Sequence, residues 1–144
     1  MVIIVTGTPG VGKTTYAQRL GEELERPVLS ISDLLAQAGL ASEWDDVHKC
    51  FLVDVDALEE VLVERAQANN QVIIEGHLAH EIPPGFVERC VVIKCSLPVL
   101  KKRLEARGYS EDKVRENLDC EIFDVCFSDA LERGHAPEVV WSSE

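Results

Sequence analysis

Residues 7–14 read Gly-Thr-Pro-Gly-Val-Gly-Lys-Thr, one residue after the apolar run Val2–Val5. A glycine, four residues and then Gly-Lys-Thr is the pattern of a phosphate-binding loop, in which backbone N–H groups turn toward a phosphate. The β-branched run before the loop predicts a strand. Residues Thr14–Leu20 predict a helix whose positive N-terminal end faces the same phosphate. The flanking elements favour a nucleoside triphosphate site over a glycine-rich turn without function.

Two side chains of the loop have expected roles. Lys13 would reach the β- and γ-phosphates of the nucleotide. The Thr14 hydroxyl would ligate Mg²⁺, which prefers oxygen ligands. The loop therefore predicts a nucleoside triphosphate bound together with magnesium.

The chain is long enough for one α/β domain. It has 144 residues, of which 46% are hydrophobic, so it can bury one core but not two. Short apolar runs predict parallel strands covered on both faces. The five predicted strands are Val2–Val5, Val28–Ser30, Val72–Glu75, Val91–Cys95 and, more weakly, Val139–Trp141. We therefore predict a P-loop fold with a five-stranded parallel sheet.

Helix signals fall between these runs. Asp56, with Glu59 three residues later, resembles a capping box at the start of a helix over Ala57–Ala68. Another helix is predicted from Ser96 to Arg107. A single long amphipathic helix is predicted from Ser110 to Gly134. Its apolar stripe would include Val114, Leu118, Ile122 and Val125.

The net charge of −12 argues against broad contact with nucleic acid. Acidic residues concentrate between Ser42 and Glu64, where Lys49 is the single basic residue. This stretch could attract a basic partner or could simply be a solvated face. Basic residues concentrate between Lys101 and Arg115, where they could hold phosphates.

No apolar stretch approaches the roughly 20 residues of a membrane span, and the chain enters its first strand without a signal-peptide pattern. Its five cysteines contain no Cys-x-x-Cys pair and are odd in number. We expect reduced, mostly buried thiols in a cytoplasmic protein rather than zinc ligands or disulfides.

Four more side chains are candidates for the phosphate site. Glu75 ends an apolar run, so it is expected at the carboxyl edge of the sheet, where it could hold Mg²⁺ or merely close a strand. His77 could orient a water or a phosphoryl acceptor, although a lone histidine is more often structural. Arg103 and Arg107, four residues apart, share a helix face. They could bring positive charge on a closing lid or could remain solvated.

The order and spacing of several motifs resemble the adenylate kinase isoenzyme 6 family, atypical adenylate kinases that double as maturation ATPases of the small ribosomal subunit. The matching motifs are Gly7–Thr15, Ile31–Leu34, Cys50 with Asp54–Asp56, Glu75–His77, Arg103–Tyr109, Glu116-Asn117 and Cys120–Phe123. Residues 74–80 look more like the archaeal members. The resemblance covers roughly residues 1–131.

The resemblance implies a nucleoside-monophosphate-kinase type of fold with two mobile inserts in one domain over residues 1–144. These are a monophosphate-binding insert at about 30–53 and a short lid at about 108–115. It implies phosphate transfer between ATP and AMP with Mg²⁺, ATP hydrolysis, and a role with a basic small-subunit ribosomal protein in rRNA processing. By position it assigns catalysis to Lys13, His77 and Arg107, ATP binding to Gly10, Gly12, Lys13, Thr14, Thr15, Arg103 and Arg107, and Mg²⁺ to Thr14 and Glu75.

The sequence departs from typical adenylate kinases at the two arginines that clamp the AMP phosphate. Leu35–Gln37 follow Asp33-Leu34 where the first is expected, and Gly76–His80 lacks the second. Family members also usually continue into a final helix beyond the last strand. The missing arginines favour ATP hydrolysis over efficient phosphorylation of AMP.

The leading hypothesis is thus a monomeric adenylate kinase-like ATPase of ribosome maturation. One alternative is a metabolic kinase that phosphorylates AMP or another small acceptor and has no ribosomal role. Another is a nucleotide-gated binding module with negligible turnover.

Overall fold

The computed structural model describes residues 1–39, 41–45 and 50–142, with backbone only at 41–45 and 50–53. The strands are β1 (Val2–Thr6), β2 (Val28–Ser30), β3 (Ala41–Asp45), β4 (Cys50–Val53), β5 (Ile73–Glu75), β6 (Val87–Lys94) and β7 (Pro137–Trp141). The helices are α1 (Lys13–Leu24), α2 (Ile31–Ala38), α3 (Val55–Ala68), α4 (Leu97–Ala106), α5 (Glu111–Ile122) and α6 (Val125–Glu132).

Five strands form a parallel sheet in the order β2-β5-β1-β6-β7, which confirms the predicted sheet. The central strand β1 is buried at all five positions, as its continuous apolar run predicts. β6 begins at Val87, four residues before the predicted start. The prediction missed these residues because two of them are charged and interrupt the apolar run. Glu88 and Arg89 form ion pairs with Arg26 and Glu138, each at 2.7 Å.

The core lies on both faces of this sheet, because successive side chains of β1 point to opposite sides. Val2 and Ile4 pack in one cluster with residues of α2, α3 and α6. Ile3 and Val5 pack in the other cluster with residues of α1, α4 and α5. Because β1 is the central strand and is packed on both faces, the loop that follows it lies at the middle of the carboxyl edge of the sheet.

The antiparallel hairpin of β3 and β4 follows α2 and was not predicted from the sequence. It falls within residues 30–53, where the resemblance implies a monophosphate-binding insert, and that assignment stays a prediction. Asp46 and Lys49 of the acidic stretch lie outside the described residues, as do the side chains of Glu43 and Asp45.

The predicted cap of α3 was wrong by two residues. Asp54, rather than Asp56, occupies the N-cap position, and its side chain accepts a hydrogen bond from the Ala57 N–H at 3.2 Å. Asp54 has extended backbone angles, which aim its carboxylate at the third helical N–H. Asp56 lies within the first turn instead. α4 does begin after Ser96, as predicted, without a side-chain cap bond.

The single long helix predicted from Ser110 to Gly134 is two helices. α5 is capped by the Ser110 side chain, as expected, but the chain breaks after Ile122 because Asp124 adopts the left-handed conformation at φ 52°. The predicted apolar stripe fails there, since Ile122 is 53% and Val125 37% exposed. Glu121 is buried in their place. Among the residues that the structure describes, no helix has the length and apolar character to traverse a bilayer.

Candidate active site

The loop between β1 and α1 lies at the carboxyl edge of the sheet, between β5 and β6. Its path requires Gly7, which has φ +150° and packs so closely on β6 that a Cβ there would lie 2.6 Å from the Ile93 carbonyl oxygen. The loop then passes through Gly10 and ends at Gly12, the N-cap of α1. Thr15 is exposed in the first turn of that helix. The N-terminal end of α1 thereby opens at this edge.

Lys13 is partly buried at the centre of the site. Its Nζ donates a hydrogen bond to the Thr8 carbonyl oxygen at 3.1 Å. Burial lowers the pKa of Lys13 to about 8, while the carboxylates of Glu75 and Glu121 oppose the shift and the charge of Arg107 adds to it. With a pKa of about 8, Lys13 therefore remains an ammonium group at neutral pH.

Thr14 and Glu75 face each other next to Lys13. The Thr14 hydroxyl donates to Glu75 Oε1 at 3.3 Å, and Glu75 is only 5% exposed at the end of β5. Parallel pairing sets Glu75 opposite Val5 of β1, which brings the carboxylate to the start of the loop. A hydroxyl and a carboxylate fit a hard cation such as Mg²⁺, which takes its other ligands from water and phosphate.

His77 is exposed on the loop that follows β5. Its carbonyl oxygen accepts a hydrogen bond from the Thr6 hydroxyl at 3.4 Å. Partial removal from water, followed by the charge of Lys13, lowers the pKa of His77 to about 4. The imidazole is therefore neutral at neutral pH and can accept a hydrogen bond.

Two buried histidines hold the segment behind His77, and the sequence analysis assigned neither a role. His80 Nδ1 lies 3.0 Å from the Thr6 hydroxyl. His135 Nε2 lies 3.0 Å from the His80 carbonyl oxygen and 2.9 Å from that of Ile82, so it acts as the donor to both. These contacts fix the backbone on which His77 stands. The signal in the sequence was the second histidine three residues after His77.

The two candidate arginines separate into different positions. Arg103 is turned onto the loop itself, where Nη1 donates to the carbonyl oxygens of Gly10 at 3.2 Å and Val11 at 3.0 Å. Arg107 is exposed just after α4, and its charge acts on Lys13. The structure thus places Arg103 against the loop backbone, whereas Arg107 is exposed and acts on Lys13 through its charge.

A buried carboxylate that no role was predicted for also meets the loop. Glu121, 7% exposed, accepts a hydrogen bond from the Thr8 hydroxyl at 3.1 Å. In the sequence Glu121 is a charged residue of the predicted amphipathic helix. The predicted apolar stripe put Ile122 rather than Glu121 on the buried face, so no role was expected for Glu121. The site therefore contains two buried carboxylates, Glu75 and Glu121, whose charges both act on Lys13.

Comparison with known proteins identifies the family. A family model described as an AAA domain matches residues 3–124. A putative adenylate kinase of Methanocaldococcus jannaschii is 35% identical over 90% of this chain and 72% of that protein. The adenylate kinase isoenzyme 6 homolog of Caenorhabditis elegans is 32% identical over 90% of this chain and 72% of that protein. The chain belongs to the adenylate kinase isoenzyme 6 family. This confirms the resemblance that the sequence motifs indicated.

Solved structures agree on the fold of this adenylate kinase family member. Shikimate kinase from Aquifex aeolicus aligns with a TM-score of 0.63 at 15% identity, over 100% of this chain and 87% of that one. Shikimate kinase from Bacteroides thetaiotaomicron aligns with a TM-score of 0.57 at 21% identity, over 92% and 78% of the two chains. The P-loop kinase fold is thereby confirmed. That the protein is a phosphotransferase follows from its membership of the adenylate kinase family.

Proposed function

We propose that this protein binds Mg·ATP and mainly hydrolyses it, in the service of small ribosomal subunit maturation. The observation that carries the proposal is the set of Lys13, Thr14 and Glu75 at the mouth of the loop: Lys13 binds the Thr8 carbonyl oxygen of the loop at 3.1 Å, and Thr14 binds Glu75 at 3.3 Å. The nucleotide-binding set is Gly10, Gly12, Lys13, Thr14, Thr15, Arg103 and Arg107. Thr14 and Glu75 would hold Mg²⁺, which neutralises charge on the phosphates when bound.

His77 supplies the chemistry at the reacting end. A neutral imidazole can accept a hydrogen bond from the attacking water and orient it toward the terminal phosphate. Lys13 and Arg107 place positive charge where negative charge develops in the transition state. Arg103 maintains the loop conformation through the carbonyl oxygens that it binds.

The residues expected to bind the phosphate acceptor favour hydrolysis of ATP over transfer of its phosphate to AMP. No arginine is present among Leu35–Gln37 or Gly76–His80, the two places where the family pattern of typical adenylate kinases provides one. A dianionic phosphate without cationic partners binds weakly. We assign α2 and the hairpin of β3 and β4 to the acceptor side, and residues Gly108–Arg115 to the lid.

The deciding experiment is nucleotide turnover with and without AMP on one preparation. We expect ATP-dependent phosphate release that AMP changes by less than about twofold, and slow formation of ADP from AMP. Strong stimulation of ADP formation by AMP or another small acceptor would favour the alternative, a metabolic kinase. Partner release dependent on ATP binding, without measurable turnover, would favour the binding module.

The ribosomal role is supported by the charge of α3. The side chains of Asp56, Glu59, Glu60 and Glu64 line one shallow groove on the exposed face of this helix. Such a surface fits a basic small-subunit ribosomal protein. We expect the monomeric protein to retain such a partner in a pull-down, with retention that falls as salt rises. The absence of any salt-sensitive partner in this experiment would count against the role.

The free thiols of Cys90, Cys95, Cys120 and Cys126 fit a cytoplasmic location.

A further inference from the structure

α5 carries a buried carboxylate to the underside of the phosphate-binding loop. The helix begins directly after the Gly108–Ser110 turn and ends at Ile122. Glu121, in its last turn, is 7% exposed, although ionised carboxylates are seldom buried without partners. Its partners should therefore show what it is buried for.

Three donors surround Glu121. Oε1 accepts from the Thr8 hydroxyl at 3.1 Å, and Oε2 accepts from the backbone N–H of Cys95 at 3.1 Å. The ammonium of Lys94 lies 3.4 Å from Oε1. A carboxylate has acceptors on both oxygens, so it can satisfy all three groups. A glutamine would place an NH₂ group against one of these donors.

Thr8 connects this carboxylate with the phosphate seat. Its carbonyl oxygen accepts from the backbone N–H of Val11 at 3.3 Å, which closes a turn within the loop. The same oxygen accepts from Lys13 Nζ at 3.1 Å. Whatever fixes Thr8 therefore fixes both the curvature of the loop and the resting position of the lysine.

We propose that Glu121 is a positioning residue of the nucleotide site, which acts through the Thr8 hydroxyl to hold the loop in its ATP-binding shape. The inference rests on the proposed function in that ATP is the ligand. A loop that is set before binding loses less conformational freedom when the nucleotide arrives. The loss of Glu121 is therefore expressed first in the affinity for ATP and only secondarily in the rate of the bound complex.

A double-mutant cycle tests this route. Glu121→Met and Thr8→Val remove opposite ends of one hydrogen bond with little change of shape, because neither methionine nor valine carries an oxygen that could replace it. We expect each single variant to weaken Mg·ATP binding, measured by titration calorimetry, by about tenfold, or about 1.4 kcal/mol. The double variant should be no weaker than the weaker single one, because both changes break the same link. The kcat of each folded variant should fall by less than about threefold.

Asp124→Asn is the matched control. Asp124 binds Lys94 from the other side, and its carboxylate has no recorded bond to Thr8. This variant disturbs the same lysine without breaking the link to the loop, so its affinity for Mg·ATP should stay within about twofold of the wild type. An equal loss in Asp124→Asn would assign the effect to Lys94 and overturn the proposal.

The remaining outcomes also decide. A lower melting temperature with unchanged ATP affinity would make Glu121 a purely structural residue and overturn the proposal, as would additive effects in the double variant. If Glu121→Met does not fold, Thr8→Val alone decides, since it leaves the buried carboxylate in place. No binding of Mg·ATP by the wild type would instead overturn the proposed function.

Discussion

Replacing Lys13 with alanine is expected to lower ATP turnover by a factor of about a thousand, because the ammonium stabilises charge that develops on the transferred phosphate. The fold should persist. Lys13 Nζ binds the Thr8 carbonyl oxygen, and burial already disfavours its charge by lowering its pKa to about 8. Removing the charged group therefore costs the folded state little. Phosphate release and thermal melting, measured on the same sample, check both halves of the prediction.

Lys101→Ala provides the matched control for the lost charge. Lys101 is an exposed residue of α4, so its removal changes the net charge equally without changing the site. Its turnover should equal that of the wild type. Turnover of Lys13→Ala within tenfold of the wild type, in a folded sample, would contradict the assigned role.

His77→Ala should behave differently from Lys13→Ala. His77 stands on the exposed loop after β5, and the structure records the Thr6 bond at its backbone rather than its ring. We expect nearly unchanged ATP affinity and turnover lowered by about tenfold, the size of effect typical of a residue that positions water. Unchanged turnover would reduce His77 to a structural residue.

The sequence predicted the parts of the fold that local patterns determine. A continuous apolar run such as Val2–Val5 predicts a central parallel strand, and the observed strand Val2–Thr6 is buried throughout. The glycines and Lys13 of the loop follow that strand at fixed spacing, so the phosphate site could be placed as well. Glu75 was expected at the same edge because parallel strands end together.

The parts that were missed depend on tertiary contacts. Glu121 has the polarity of a surface residue, and only the donors of Thr8, Lys94 and Cys95 explain its burial. The break between α5 and α6 depends on Asp124, whose left-handed conformation gives no apolar signal. Arg103 and Arg107 share a helix face in sequence, yet the nearby loop carbonyl oxygens bind only Arg103 in the recorded contacts.

The second large effect is expected at Gly7. An added Cβ would lie 2.6 Å from the Ile93 carbonyl oxygen and 3.0 Å from Val11 Cγ2, and the φ of +150° is one that L side chains rarely adopt. The first contact is with backbone of β6, which cannot turn aside as a side chain could. We expect Gly7→Ala to lower the free energy of unfolding by about 3 kcal/mol or more, from strain and overpacking together. Urea unfolding measures this change.

Gly108→Ala separates the two causes. Gly108 has φ +77°, but nothing lies within 4 Å of its added Cβ, so this variant carries backbone strain without a clash. Its free energy of unfolding should fall by only about 1 kcal/mol. Because Gly7 sets the approach of the loop to β6, Gly7→Ala should also lose Mg·ATP binding in whatever fraction remains folded. Equal destabilisation by the two variants would mean that the loop can move away from Ile93, and that its path is less fixed by the sheet than the contact distance indicates.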